Sequence, residues 1–585
     1  MSGSDPSSKT PASPGAPGGG SSLAWQGLVA VLAVGTYFYG LDGQHIPKNG
    51  DECPYEHIAR LTAGSGRLLP LRSELPDMRN TKPPLLFWQG IASTDGGRNW
   101  TLWNLRYPSV LYTLLTAGTV FLLAWKLSDR VETGFVGGSS FLAFFSTYRF
   151  GRPFLTSPAE VLWLGLPFFA LLYWQPLAFD SRFVFPVLAG LAIGLALLYK
   201  SFALAAPVSL GLAWWYVHHR RYRLATFLAK DLLKTALAGS IALALFGAWF
   251  LLDPDPGAIW REFVLKENLG KFASPGGYGR QLLVGASSIW SLALGYPLNA
   301  GLLAVPVLAL FLIAFKRRHE LPDAEKLLWI WILTLFLTFG LPSQRSSRYL
   351  LPAMPALAVL LALNWQRISR RAFAVALLLT ATAVTAIAYA SIRLQAAAPG
   401  GVRPYGWGHW LLLMGTESLI VVGLARPRLT HACVNAAILL GFLCFAHFLR
   451  PFEGPLGRYD PQTQQYLRGK EVGVPYNFIA GEERYRFLLP GADLRGYRER
   501  PELTTPALLA RYPIVAVRQP LADPAPPEAA LLGQRLDLKG RHDARELGEL
   551  LRGGIDQQLF MRELLLTARP RASGPGDPAP LSSPR

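Results

Sequence analysis

Apolar residues in this chain come in long runs rather than in two-residue alternation, and short stretches rich in Arg, Lys, Pro and Gly separate them. Such runs predict buried or lipid-facing helices. They fall at Leu23–Tyr39, Tyr107–Trp125, Thr133–Ser146, Val161–Trp174, Phe183–Leu198, Phe202–Val217 and Leu233–Leu252, then at Ile289–Phe315, Leu327–Leu341, Tyr349–Leu363, Ala372–Ile392, Trp410–Leu424 and Ala432–Phe448. Some are short of the ~20 residues a span needs, but about thirteen together predict a polytopic α-helical membrane protein. The first run has a weakly basic start and no small-x-small cleavage site after it, so it reads as an uncleaved span. Two stretches break the pattern. Residues 42–106 are largely polar, and after Leu449 the pattern changes in kind. There Glu471-Val472-Gly473-Val474 and Pro513-Ile514-Val515-Ala516-Val517 read as short strands, with Pro506–Arg511 a helix between them. The predicted organisation is a disordered Ser/Pro/Gly-rich tail over 1–22, a membrane region over 23–449, a small α/β domain over 450–568 and a disordered tail over 569–585.

Charge orients this arrangement. Basic clusters recur at His218–Arg223, Lys316–Arg318, Arg367 with Arg370 and Arg371, and Arg426 with Arg428. All follow even-numbered runs, which places those loops and the N-terminus in the cytoplasm. The first loop, 42–106, and the C-terminal domain are then outside. Lys and Arg total 57 against 38 Asp and Glu. In a membrane protein such an excess faces anionic lipid, and with no zinc-finger spacing or aromatic-basic motif a nucleic-acid partner is excluded. Cys53, Cys433 and Cys444 form no metal or disulfide framework.

Several cations fall on the outer side, where the charge rule disfavours them: Arg149, Arg152, Lys200, Lys266, Lys271, Arg345 and Arg348. Singly, each reads as well as a head-group contact or local ion pair as it does as part of a site. Together they suggest a site for an anionic group at the membrane boundary. The same loop region carries adjacent acids, Asp51 and Glu52, and a cation fixed beside two prolines, Lys82-Pro83-Pro84. In a helix Asp51 shares a face with Tyr55, and Tyr55, Ile58 and Ala59 would line the side turned to the membrane interface. Adjacent acids serve as a general base, a metal ligand or a helix N-terminal charge; a solvated helix start is the ordinary reading of the dipeptide alone. Glu417 lies within the twelfth run, where a structural partner is expected for it.

The order of these elements resembles the GT-C glycosyltransferases that use polyprenyl-phosphate sugars, and is most similar to glycosyltransferase family 39 and to the transferases that add aminoarabinose to lipid A. The resemblance rests on Asp51-Glu52-x-x-Tyr55, Lys82-Pro83-Pro84-Leu85-x-x-Trp88, Lys266-Glu267-Asn268-Leu269-Gly270-Lys271-Phe272 and Arg348-Tyr349-Leu350-Leu351-Pro352. It runs to about Leu363 and then fades. Departures occur at Pro54, where relatives often carry a basic residue, at Thr81, where many carry an acid, and at Ser157, with Glu160 the nearest acid where a second Asp is usual.

The resemblance implies an inverting transferase in a bacterial inner membrane. It would move a sugar from a polyprenyl-phosphate donor to a lipid, glycan or protein acceptor on the outer face. Nucleotide sugars stay in the cytoplasm, and the chain shows no Rossmann-type phosphate loop. The implied base is Asp51. Glu52 would orient the loop or support a divalent metal, a cofactor neither required nor excluded. Lys82 and Arg348, with Arg345 as second choice and Tyr55 beside them, would bind the donor phosphate. Arg149, Arg152, Lys200, Lys266 and Asn268 are candidate donor or acceptor contacts. A sugar or lipid transporter would also account for spans and scattered cations, but paired repeats are expected of one and none is visible. A polysaccharide polymerase or ligase would more usually carry its key residues in a large late outer loop.

Overall fold

The computed structural model describes residues 19–569, apart from residues 49, 273–276, 399–401, 477–478, 501, 541 and 543. Nearly all of the two expected tails lies outside that set; the first helix, Gly19–Phe38, begins four residues inside the first of them. Every predicted apolar run is helical. Among the described residues six helices are long and apolar enough to cross a membrane, and four shorter apolar helices accompany them. Two runs are interrupted. Ile289–Lys316 breaks at Leu294 and again near Gly301 (φ +63°), against which Phe145 packs too closely for any side chain. Thr133–Ser146 breaks at Phe144, between helices Val131–Ala143 and Phe145–Phe150.

Small residues allow the helices to approach one another, as association within lipid requires. Helix Val184–Tyr199 lies on Leu232–Leu252 through Gly190 and Gly194. A Cβ at Gly190 would come within 2.8 Å of the Ala238 carbonyl oxygen. The first loop is ordered by two helices, Glu52–Gly64 and Leu85–Ser93. Asp51 stands at the N-terminal cap position of the former, with Glu52 in its first turn, where a negative charge is favoured. Tyr55, Ile58 and Ala59 do share one face, but it is pressed against protein rather than lipid: they pack with Phe87, Phe154 and Tyr199.

The C-terminal region forms a five-stranded mixed sheet. Its strands are β1 (Glu471–Tyr476), β2 (Asp493–Arg498), β3 (Ile514–Pro520), β4 (Ala529–Leu538) and β5 (Phe560–Ala568), in the order β2-β1-β3-β5-β4. β1 runs parallel to β2 and β3, and β5 antiparallel to β3 and β4. Buried charges dock this sheet region on the first loop. Glu483 accepts from His57 Nδ1 at 2.8 Å and from Arg60 Nη2 at 2.6 Å. Burial alone would raise the Glu483 carboxyl, but those partners hold it down at about 2. His45 makes a second bridge, between Glu453 (2.7 Å) and Asp537 of β4 (2.8 Å). The first loop is thereby held at two places by the region that follows the last span.

Candidate active site

Asp51 and Arg348 are 297 residues apart and meet at 2.7 Å, Oδ2 to Nη1, with each side chain about three-quarters buried. Arg348 opens the helical turn Ser347–Ala353 that leads into Met354–Leu363. Lys82 stands nearby: Tyr55, buried next to the pair, feels Lys82, Asp51 and Arg348 together. Burial is the main cause that pushes the Tyr55 phenol up to about 12, so it stays a hydrogen-bond donor at neutral pH.

Lys82 donates to the Thr81 carbonyl at 2.6 Å and to Glu267 Oε1 at 2.8 Å. Pro83 keeps its backbone out of the helical region and so sets the direction of the side chain. Burial opposes the ammonium charge, but Tyr55 and Glu267 outweigh it and Lys82 is raised above an ordinary lysine. Lys271 reaches the same Glu267 oxygen at 3.2 Å. The backbone carbonyl of Lys271 accepts from Ser343 Oγ and the Gln344 amide, tying this segment to the one that carries Arg348. Lys200 completes the group, 2.5 Å from buried Glu160 and electrostatically coupled to both Arg348 and Lys82. Four cations from four segments thus face three carboxylates.

Glu52 points the other way, into the protein. Its carboxylate takes both forks of Arg106 at 2.8 Å, Lys48 at 2.9 Å and the Phe154 amide at 2.8 Å, and it is fully buried. Burial works against its charge, yet Arg106 and Lys48 hold its carboxyl well below the usual range. Arg106 also donates to the carbonyls of Leu41 and Gly43, joining the end of the first span to the loop helix. Glu56, one turn on, has its carboxyl raised above the usual range by burial and by the Glu52 carboxylate. Among the described residues no group of three or more His, Cys, Asp or Glu side chains could hold a metal ion.

The remaining candidates are dispersed. Arg345 is buried and donates to the carbonyls of Gly340, Gln281 and Ser287, tying its loop to residues 281–287. Arg152 is buried beneath the end of the first span, on the carbonyls of Tyr37 and Tyr39 and 4.6 Å from the Tyr148 ring centre. Asn268 is buried between Ser201 and the Phe263 carbonyl. Lys266 is exposed, 3.7 Å from Asp77. Arg149 borders a separate cavity of about 710 Å3. Its walls mix cations of the loops and the sheet region, Lys48, Arg484 and Arg518 among them, with apolar side chains of the helices such as Ile387 and Phe445. The sequence assigns Glu267 no role and marks Glu160 only as a departure from the family pattern. The four-residue spacing of Glu267 and Lys271 was the available signal for the first.

No protein-family model matches the chain. Its fold matches the crystal structure of ArnT from Cupriavidus metallidurans bound to undecaprenyl phosphate, with a TM-score of 0.56 at 18% identity over 81% of this chain and 86% of that one. The apo structure of the same protein gives 0.54. The chain has the ArnT fold. In sequence it is similar to the undecaprenyl phosphate-alpha-4-amino-4-deoxy-L-arabinose arabinosyl transferase 1 of Sodalis glossinidius, 26% identical over 79% of this chain and 78% of the relative. The corresponding transferase 2 of Proteus mirabilis is 26% identical over 67% and 69%.

Proposed function

We propose that the chain is an inverting membrane glycosyltransferase that moves aminoarabinose from undecaprenyl phosphate to a lipid acceptor on the outer face of a bacterial inner membrane. The observation that supports this most is the Asp51–Arg348 pair at 2.7 Å beside Lys82, in a chain with an ArnT-like fold. In this reading the acceptor hydroxyl loses its proton to an Asp51 carboxylate oxygen as its oxygen attacks the anomeric carbon. The bond from that carbon to the phosphate oxygen breaks with its electron pair going to the phosphate. Attack from the far side inverts the centre. Phosphate is a good leaving group, so one carboxylate base is sufficient, unlike the two a glycosidase uses.

The cations supply the rest of the transition-state stabilisation. The diester donor carries one negative charge and the departing monoester nearly two. Protonation of Asp51 removes the charge that holds Arg348, so the guanidinium becomes available as charge builds on the phosphate. Lys82 and Arg348 bind that phosphate, Tyr55 donates beside them, and Glu52 positions the helix that carries Asp51. Lys82→Ala is expected to weaken donor binding by roughly 2–5 kcal/mol, the range for truncating one partner of a buried charge pair. Lys82→Arg should recover part of it. Binding of undecaprenyl phosphate to protein in detergent measures both, and an unchanged affinity in Lys82→Ala removes this lysine from the donor site.

The 710 Å3 cavity suits an anionic lipid acceptor, with cations from the loops and sheet region beside apolar helix faces. Filling it should separate acceptor from donor. Ala383 lines the cavity from helix Arg370–Ala397. Ala383→Trp is expected to raise the acceptor KM by roughly tenfold, about 1.4 kcal/mol, with undecaprenyl phosphate affinity unchanged. Equal acceptor KM in the variant and the parent would place the acceptor elsewhere.

A further inference from the structure

The donor-site cations are already engaged with carboxylates of the protein itself. Lys82 and Lys271 come from segments 189 residues apart and place their ammonium groups on a single oxygen, Glu267 Oε1, at 2.8 and 3.2 Å. Two ammonium groups on one anionic oxygen is the arrangement a phosphate oxygen would take between the same lysines. The other two cations have acids of their own: Lys200 has Glu160 and Arg348 has Asp51. Glu160 is fully buried, whereas the Glu267 side chain is about one-third exposed and can swing away. Its neighbour Asn268 is pinned at both ends by Ser201 and the Phe263 carbonyl, so the backbone carrying Glu267 need not move.

We infer that Glu267 is an internal stand-in for the donor phosphate, which occupies the Lys82–Lys271 subsite in the empty enzyme and is displaced when a polyprenyl phosphate binds. This rests on the assignment of Lys82 to the donor phosphate. The stand-in has two consequences. It holds two lysines together and charged without a ligand, where burial and mutual repulsion would otherwise disfavour both charges. It also competes with the phosphate, lowering apparent affinity by the fraction of time the subsite is closed. Because the monoester left after transfer is the more highly charged ligand, a returning carboxylate favours its release.

The sign of one mutational effect tests this. Binding of undecaprenyl phosphate is measured on the full-length protein in detergent for the parent, Glu267→Gln, Glu267→Ala and Lys82→Ala, with thermal unfolding recorded for each. Removing a competitor should tighten binding by about tenfold in both Glu267 variants and lower kcat through slower product release. A positioning brace would act in the opposite direction, since lysines no longer held together would bind the lipid more weakly. Weaker or unchanged binding in the Glu267 variants, with Lys82→Ala still defective, overturns the stand-in and leaves the donor site in place. Binding that Lys82→Ala does not impair overturns the donor assignment, and the stand-in with it.

Discussion

Asp51→Asn is expected to lower sugar transfer by about 100-fold or more while leaving donor affinity unchanged or slightly improved. The asparagine is close in shape, so the loop helix that Asp51 caps should persist, but its amide cannot take the acceptor proton. The charge that holds Arg348 at 2.7 Å disappears at the same time. A freed guanidinium adds attraction for the phosphate, and a neutral amide adds no repulsion. This combination of lost turnover with retained binding distinguishes a base, which acts in the transition state, from a residue that only builds the site. Single-turnover transfer from a purified donor, paired with undecaprenyl phosphate binding, gives both quantities. A fully active Asp51→Asn protein would reduce the acid to a helix start and leave the transferase reading resting on the cations and the fold.

The helical membrane region was legible because lipid burial writes itself into sequence as uninterrupted apolar runs, and every such run is a helix. β1, β3 and the short helix before β3 were visible for a related reason: Val472, Val474, Ile514 and Val515 pack into the cores beneath the sheet. β2 carries Asp493, Arg495 and Arg498 on an exposed edge and gave no alternation to read. At the site, sequence could say that a cation lies at the outer boundary but not what it faces. Arg348 and Arg345 are three residues apart, and both are expected at the donor phosphate, Arg345 as second choice. One meets Asp51, and the other meets the carbonyls of Gly340, Gln281 and Ser287 and the face of Tyr278. Arg106 attracted no notice, since nothing local in Asn104–Tyr107 reveals a partner 54 residues earlier. Pairings of this separation are set by how the helices assemble, which single-sequence periodicity does not encode.

That arginine should be among the most costly residues to remove. Arg106→Ala is expected to destabilise the protein by about 3–5 kcal/mol, because it leaves a fully buried carboxylate without its main partner. Arg106 meets both oxygens of Glu52 at 2.8 Å and also satisfies the carbonyls of Leu41 and Gly43. Lys48 alone, at 2.9 Å and near the surface of the loop, cannot replace a planar fork that serves four acceptors. Glu52→Gln should be costly as well, since Arg106 is then a buried charge facing a neutral amide. The double variant Glu52→Gln/Arg106→Ala removes both charges, so its loss should be smaller than the sum of the two single losses, with the difference measuring their coupling. Denaturant unfolding of the detergent-solubilised protein gives all four stabilities. Additive losses, or an Arg106→Ala protein as stable as its parent, would show that the loop helix is held chiefly by its Tyr55–Phe87–Phe154 packing. If coupling is found, the helix that presents Asp51 is oriented by Glu52, and Arg106→Ala protein should lose transfer activity even at temperatures where it remains folded.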